Sequence, residues 1–246
     1  MDNIKQNDLI YGRNPVLEAL DSDSEIDCVF LSGRGGTLSA IYAKAREKGI
    51  VVKMTTDAKL SEMTGVSSHQ GTAAVISYGN YVSLEELIQI HEKKQTPAFL
   101  ILCDEIEDPH NLGAIIRTAE CVGADGIIIP KRRSATVNST VFKTSAGAAN
   151  YVPVAKVSNL SMAIEEMKKH NIWIYGTDAK GEDYTKTDLR GNVCLVIGSE
   201  GKGIGKRVAG ECDFMLKLPM MGKINSLNAS VAAAVFMYEV VRQRNI

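Results

Sequence analysis

No apolar run in this sequence approaches the roughly 20 residues that a membrane-spanning helix needs, so no span is expected. The N-terminus, Met1-Asp2-Asn3-Ile4-Lys5-Gln6-Asn7-Asp8, is polar and acidic, which excludes a secretory signal. Cysteine is sparse. Cys28, Cys103, Cys121, Cys194 and Cys212 are odd in number, far apart and include no C-x-x-C pair. That argues against a disulfide framework and against a zinc site, and no metal is expected. Most of these cysteines sit in apolar runs and read as buried small hydrophobes, so a reducing cytoplasm is the expected location. Internal repeats and low-complexity tracts are missing too. So is an excess of positive charge: 28 Lys and Arg stand against 29 Asp and Glu, a formal net charge of −1. A general nucleic-acid binder is usually basic, so any RNA-facing positive charge must be local. Lys131-Arg132-Arg133 and Lys202 with Lys206-Arg207 are the two clusters that fit, and the plain alternative for either is a solvated loop.

What is present is an alternation of helix and strand signals. A length of 246 residues suits two domains or one large α/β domain. In the first part, Arg13–Leu20 reads as a helix with Pro15 in its first turn, and Leu38–Lys48 as a helix ending at Gly49. Ile26–Leu31, Ile50–Met54 and Gly71–Tyr78 read as strands. This predicts a small βα domain over residues 1–78. Residues 79–96 are more polar, with a short helix at Leu84–Glu92, and read as a linker. The second domain, residues 97–246, has continuous apolar strands, as expected where helices cover both sheet faces. They are Phe99–Cys103, Gly126–Ile129, Val152–Val157, Ile172–Thr177, Val193–Ile197 and Phe214–Leu218. Leu160–Lys169 is an intervening helix and Ser226–Arg242 the longest one. Such alternation predicts a mostly parallel sheet.

Three stretches carry the chemistry. The first runs Asp108-Pro109-His110-Asn111-Leu112-Gly113-Ala114-Ile115-Ile116-Arg117-Thr118-Ala119-Glu120. Asp108-Pro109 reads as closing a strand and holding off an immediate helix, with Asn111 and Gly113 in a turn. Arg117 then falls in the first turns of an apolar helix. An arginine there needs a partner if it is buried, and Glu200 is the expected one through a fork-like bond. The alternative is an exposed arginine whose stem covers the helix. The second stretch is Ile197-Gly198-Ser199-Glu200-Gly201-Lys202-Gly203-Ile204-Gly205. Its glycines permit unusual backbone angles and close approach to a ligand. It lacks the spacing of a phosphate-binding P-loop, and it does not follow the first strand of its unit, where a dinucleotide fingerprint belongs. A tight turn is the plain alternative. The third stretch, Leu218-Pro219-Met220-Met221-Gly222-Lys223-Ile224-Asn225-Ser226-Leu227-Asn228-Ala229-Ser230, puts Asn225, Ser226 and Asn228 at the start of the last helix. Asn and Ser are favoured caps there, and a helix N-terminus also receives polar ligand groups.

Taken in order, these stretches resemble the motifs of the SpoU/TrmH family of RNA ribose 2'-O-methyltransferases. Tyr11-Gly12-Arg13-Asn14-Pro15-Val16-Leu17-Glu18-Ala19-Leu20 and His69-Gln70-Gly71 are similar to the substrate-binding domain of its RlmB-like branch, which minimal members lack. The resemblance therefore covers nearly the whole chain. It implies an α/β fold: a C-terminal SPOUT-type methyltransferase domain with a trefoil knot, plus a small N-terminal α/β RNA-binding domain. The strand pattern alone would never suggest a knot. The resemblance also implies S-adenosyl-L-methionine as cofactor, a homodimer with active sites near the subunit interface, and methylation of a guanosine in 23S rRNA. The same chemistry on tRNA, or a non-catalytic role in ribosome assembly, are the alternatives.

Carried over by position, Asn111, Arg117, Glu200, Ser226 and Asn228 are the catalytic-site residues. Thr177, Gly198, Gly203, Leu218 and Leu227 are expected at the cofactor, and Arg13, His69, Gln70, Arg132 and Arg133 at the RNA. A sulfonium methyl is already a good electrophile, so alignment is the main task and is worth about 7–11 kcal/mol. Arginine stays protonated in proteins and is an awkward base. Arg117 is therefore expected to clamp the neighbouring phosphate, with Glu200 orienting it and with Asn111, Ser226 and Asn228 fixing the ribose and loop.

Overall fold

Two sheets, each flanked by helices, form on either side of a division between Tyr78 and Gly79. The computed structural model describes residues 8–22 and 26–245; the polar stretch Met1–Asn7 discussed above lies outside them.

The first unit contains β1 (Leu9–Tyr11), α1 (Arg13–Asp21), β2 (Ile26–Leu31), α2 (Thr37–Glu47), β3 (Val51–Met54), α3 (Asp57–Thr64) and β4 (Thr72–Ile76). The sheet order is β1-β4-β2-β3. β2 and β3 are parallel, and β4 runs antiparallel to β1 and β2. All six residues of β2 are buried because both of its faces are covered. Val29 and Leu31 pack with Val16, Leu20, Leu38 and Ile41 of α1 and α2. Cys28 and Phe30 pack with Leu60 of α3 on the other face. The sequence reading missed α3, although its ends are well marked. Thr56 caps its start by accepting from Lys59 N at 3.2 Å, and Gly65 ends it at φ 72°.

The second unit contains β5 (Tyr81–Val82), α4 (Leu84–Lys94), β6 (Phe99–Asp104), α5 (Pro109–Cys121), β7 (Gly126–Pro130), α6 (Ser139–Thr144), β8 (Val154–Val157), α7 (Leu160–Lys169), β9 (Trp173–Asp183), β10 (Val193–Gly198), α8 (Lys206–Glu211), β11 (Phe214–Lys217) and α9 (Ala229–Arg244). Its sheet is parallel throughout, in the order β11-β9-β10-β6-β7-β8-β5. Alternation along β6 explains the layering. Phe99, Ile101 and Cys103 join α5 and α9 residues such as Ile115, Ile116, Phe236 and Met237. Leu100 and Leu102 join Leu87, Ile164 and Val208 on the opposite face.

Residues 79–96 are therefore not a linker. β5 is the edge strand of the second sheet, and α4 buries Leu87 and Ile88 in its core. A capping box between Ser83 and Glu86 starts that helix. Its exposed acids and lysines gave the stretch a linker-like composition, while its apolar stripe is short.

From β6 the chain builds outward in one direction through β7 and β8, then returns to add β10, β9 and β11 on the other side. The β6–β10 boundary is thus a topological switch point, where ligands bind beyond the carboxyl ends of the strands. The three motif stretches leave β6, β10 and β11 at that same end.

Candidate active site

Pro109 does not delay α5 but opens it, at the first helical position where its missing N–H costs nothing. Asp108 is the cap and accepts from His110 N at 2.9 Å. Asn111 and Gly113 lie in helix rather than in a turn. Gly113 is there for space: a Cβ would stand 2.7 Å from Thr144 Cβ and 3.0 Å from Val141 O of α6. The last helix begins later than the sequence suggests, at Ala229, with Asn228 as its cap. Asn228 Oδ1 accepts from Ser230 N at 3.0 Å and from Val231 N at 3.3 Å. Asn225 and Ser226 stay in the loop before it.

These local structures bring the three motifs onto one carboxylate. Glu200 Oε1 accepts from Asn111 Nδ2 at 3.0 Å, from Ala229 N at 3.3 Å and, closer still, from Asn228 Nδ2. Asn228 Nδ2 also donates to Asn111 Oδ1 at 2.9 Å. Residues 89 and 117 positions from Asn111 thus share one hydrogen-bonded cluster.

Arg117 is not part of it. The expected pair with Glu200 does not form within the chain, where Arg117 is exposed and has no hydrogen bond or ion pair among the described residues. Helix geometry gives the reason. Six positions beyond Asn111, Arg117 lies about 9 Å further along α5 and about 240° around it. Within the chain, Glu200 is hydrogen-bonded to Asn111 and Asn228 and not to Arg117.

Two clefts flank the cluster. The smaller, about 250 Å³, is lined by Glu105, Glu107, Asp108, Asn111, Ser199, Glu200 and Lys202. The larger, about 780 Å³, has an apolar floor of Ile197, Leu216, Leu218, Leu227 and Phe236, with Thr177, Asp178, Ser226 and the Gly198–Gly203 backbone around it. All five residues expected at a cofactor line this larger cleft. Its size is that of a small-molecule site. The Ser199 hydroxyl, shared by both clefts, is buried and has no hydrogen-bond partner among the described residues, so a ligand can satisfy it.

Asp178, Ala179 and Phe236 escaped the sequence reading. β9 does not stop near Thr177. β11 pairs with β9 through Gly176 and resumes at Glu182, so residues 177–181 bow out of the ladder toward the larger cleft. Thr177 Oγ1 ties the base of the bow to Val196 O at 3.0 Å. Strand periodicity carries no signal for such a bow, and Phe236 reads as ordinary core.

Of the residues expected at RNA, Arg13 and Gln70 meet. The Arg13 backbone N–H donates to Gln70 Oε1 at 3.0 Å and its Nε donates to Gln70 O at 3.1 Å. His69 is corrected to a structural residue. It is 4% exposed, its Nδ1 accepts from Gly71 N at 3.1 Å, and its Nε2 faces Ser61 Oγ at 3.0 Å. Both ring nitrogens are occupied inside the unit, which leaves nothing for RNA. Arg132 and Arg133 lie exposed in the loop after β7, and Arg133 pairs with Glu105 at 3.1 Å on the rim of the smaller cleft.

Residues 98–238 match the SpoU rRNA Methylase family. The chain belongs to that family. Residues 9–82 match the RNA 2'-O ribose methyltransferase substrate binding family, which accounts for the first unit. This SpoU-family protein is 45% identical over 244 residues, 98% of either chain, to YacO of Bacillus subtilis (strain 168), which bears a provisional TrmH family tRNA/rRNA methyltransferase name. Its fold is that of the SpoU methyltransferase AviRb from Streptomyces viridochromogenes, solved with AdoMet, at 23% identity and a TM-score of 0.63, covering 96% of this chain and 90% of AviRb. An AdoMet-bound rRNA methyltransferase from Sinorhizobium meliloti superposes with a TM-score of 0.61 at 25% identity, covering 95% of this chain and 86% of that one. The SpoU-family chain is an RNA 2'-O-ribose methyltransferase.

Proposed function

We propose that this methyltransferase binds S-adenosylmethionine in the larger cleft and methylates the ribose 2'-oxygen of a guanosine in 23S rRNA. The observation that carries the reading is the convergence of Asn111, Glu200 and Asn228 between two clefts, the larger of them sized for a small-molecule cofactor. The cofactor supplies an electrophilic methyl group when bound. Leu218 and Leu227 hold its apolar parts, while Thr177, Ser226 and the Gly198–Gly203 backbone receive its polar edges. Lys202 and Lys217 against Asp178 and Glu200 give the cleft both signs of charge, which suits a ligand carrying sulfonium, ammonium and carboxylate groups.

Asn111, Asn228 and Glu200 form a rigid acceptor-and-donor set against which the ribose is oriented. Arg117 clamps the phosphate next to the target and stabilises the charge that develops as the 2'-hydroxyl loses its proton, which passes to that phosphate. Because Arg117 faces away from its own Glu200, it serves the site of a second copy. The outward face of α9 supports a homodimer: Val231 and Tyr238 are 49% and 55% exposed on a helix with little polar surface. The trefoil knot implied by the resemblance and a cytoplasmic location belong to the same reading. In the first unit, Arg13 and Gln70 contact RNA, with Arg132 and Arg133 contributing from the second.

The relatives' name covers tRNA as well as rRNA, so tRNA is the second reading. Incubation with methyl-labelled S-adenosylmethionine and total RNA from cells lacking the gene separates them. Label in 2'-O-methylguanosine of large-subunit rRNA is expected. The same nucleoside from tRNA selects the second reading, and no label in either RNA by protein that binds the cofactor points to an assembled-particle substrate or a binding-only role.

A further inference from the structure

Asp104 is the last residue of β6, and the mechanism above does not use it. It lies on the sheet face of Leu100 and Leu102, away from the large cleft, and is 6% exposed. Its Oδ2 accepts the backbone N–H of Gly205, 101 positions later, at 2.8 Å. Burying a carboxylate costs free energy unless its lone pairs are satisfied. Burial accordingly pushes its pKa up, the Gly205 N–H works against that rise, and the charge of Glu105 adds to it. No cation pairs with Asp104 among the described residues, so it is not half of a salt bridge.

What the carboxylate holds is the exit of the glycine stretch. Residues 199–203 form a tight hairpin closed by Ser199 N to Gly203 O at 3.1 Å and Gly203 N to Ser199 O at 2.9 Å. The hairpin folds back on Gly198, where a Cβ would stand 2.2 Å from the Gly203 carbonyl carbon. Gly198 is the β10 residue paired with Asp104 of β6. The segment therefore leaves the sheet beside Asp104 and is caught by Asp104 again at Gly205. Glu200 and Lys202, which border both clefts, are carried between these two fixed points.

We propose that Asp104 is a positioning residue that anchors the Ser199–Gly205 hairpin through the Gly205 N–H, so that this wall of the cleft is formed before the cofactor arrives. The inference rests on the reading of the larger cleft as the S-adenosylmethionine site. Preorganisation of this kind acts on affinity, because an unanchored wall must be ordered on binding.

The test combines calorimetric S-adenosylmethionine binding, steady-state kinetics and amide hydrogen exchange of full-length protein. Asp104→Ala is expected to speed exchange at Gly205 tenfold or more, to weaken cofactor binding about tenfold, and to leave kcat at saturating cofactor within about twofold. Asp104→Asn, which keeps an acceptor oxygen, restores most of the affinity. Gly205→Pro removes the donor from the other side; φ −59° suits proline, and the change is made in the Asp104→Ala background, where the proline Cδ meets no carboxylate. The two changes share one bond, so the Asp104→Ala, Gly205→Pro double variant binds no more weakly than Asp104→Ala. Unchanged exchange at Gly205 in Asp104→Ala overturns the anchor. Normal cofactor affinity with faster exchange, a fall in kcat alone, or a further loss in the double variant overturn its role in binding. Wild-type protein that binds no S-adenosylmethionine overturns the reading of the cleft, while the exchange comparison still decides the anchor.

Discussion

Glu200 and Arg117 are both exposed charged residues, yet their surroundings differ in a way that mutation can separate. Glu200 has three donors on one oxygen, so Glu200→Ala leaves two asparagine side chains and a helix N-terminus without their common acceptor. Loss of methyl transfer by tenfold or more is expected, together with a destabilisation of about 1–3 kcal/mol seen in urea denaturation. Arg117 makes no hydrogen bond or ion pair among the described residues of its own chain. Arg117→Lys should leave the melting temperature within about 2 °C of the parent while turnover collapses, because the charge remains and the planar fork is lost. Near-normal turnover by that variant would sink the phosphate clamp. The thiols make a simpler case. Burial penalises a thiolate, which pushes Cys103 and Cys212 up to about 12 and raises Cys194 as well. These three stay neutral and unreactive as pH rises toward 9. Iodoacetamide under native conditions at pH 8 should modify Cys121, which is exposed, and spare those three, read by peptide mass mapping.

At the scale of elements, most strands and helices were legible because apolar runs and their stops coincide with the structure. β2 and β10 follow that pattern closely, as does α7 between its Asn159 cap and Lys169. Sequence and structure part where one residue type serves two purposes. Proline after Asp108 suggests a helix breaker, and Pro109 starts the helix. A glycine at 113 suggests a turn, and Gly113 makes room for α6. That second point gives a test of sign. In an isolated helix Gly→Ala stabilises by about 1 kcal/mol. Against Thr144 and Val141, Gly113→Ala is expected to destabilise by about 1–3 kcal/mol, measured as a lower urea midpoint at constant slope. The end of α9 offers another. Arg244 donates to Pro97 O, Ala98 O and Gly191 O at 3.2, 2.8 and 2.7 Å and lies 5.2 Å from the Phe99 ring centre. Arg244→Ala should cost about 2 kcal/mol by the same measurement.

For the whole molecule, the order of motifs along the chain was readable, but their meeting point was not. Asn111, Glu200 and Asn228 come together only because β10 inserts beside β6, and no local pattern encodes that strand order. The linker reading failed for a related reason: two residues of β5 and a half-polar helix give little signal until the sheet edge they complete is seen. A chain beginning at Gly79 is expected to bind S-adenosylmethionine as the full protein does and to bind RNA more weakly. A chain beginning at Pro97 forfeits Leu87 and Ile88, about 1.5–3 kcal/mol for each buried side chain, and should melt well below the other in calorimetry.

The bow of residues 177–181 makes the depth of the larger cleft independent of the sheet that carries it. β11 holds to β9 below the bow at Gly176 and above it at Glu182, so a change of length between these points is expected to leave strand count and order intact, which circular dichroism and melting of such variants would check. Gly181 fixes one limit, since a side chain there would strike the backbone of Met215 at 2.4 Å. Within that limit the bow is a tunable rim. Lengthening or shortening it is a direct route to enzymes that accept S-adenosylmethionine analogues with bulkier transferable groups.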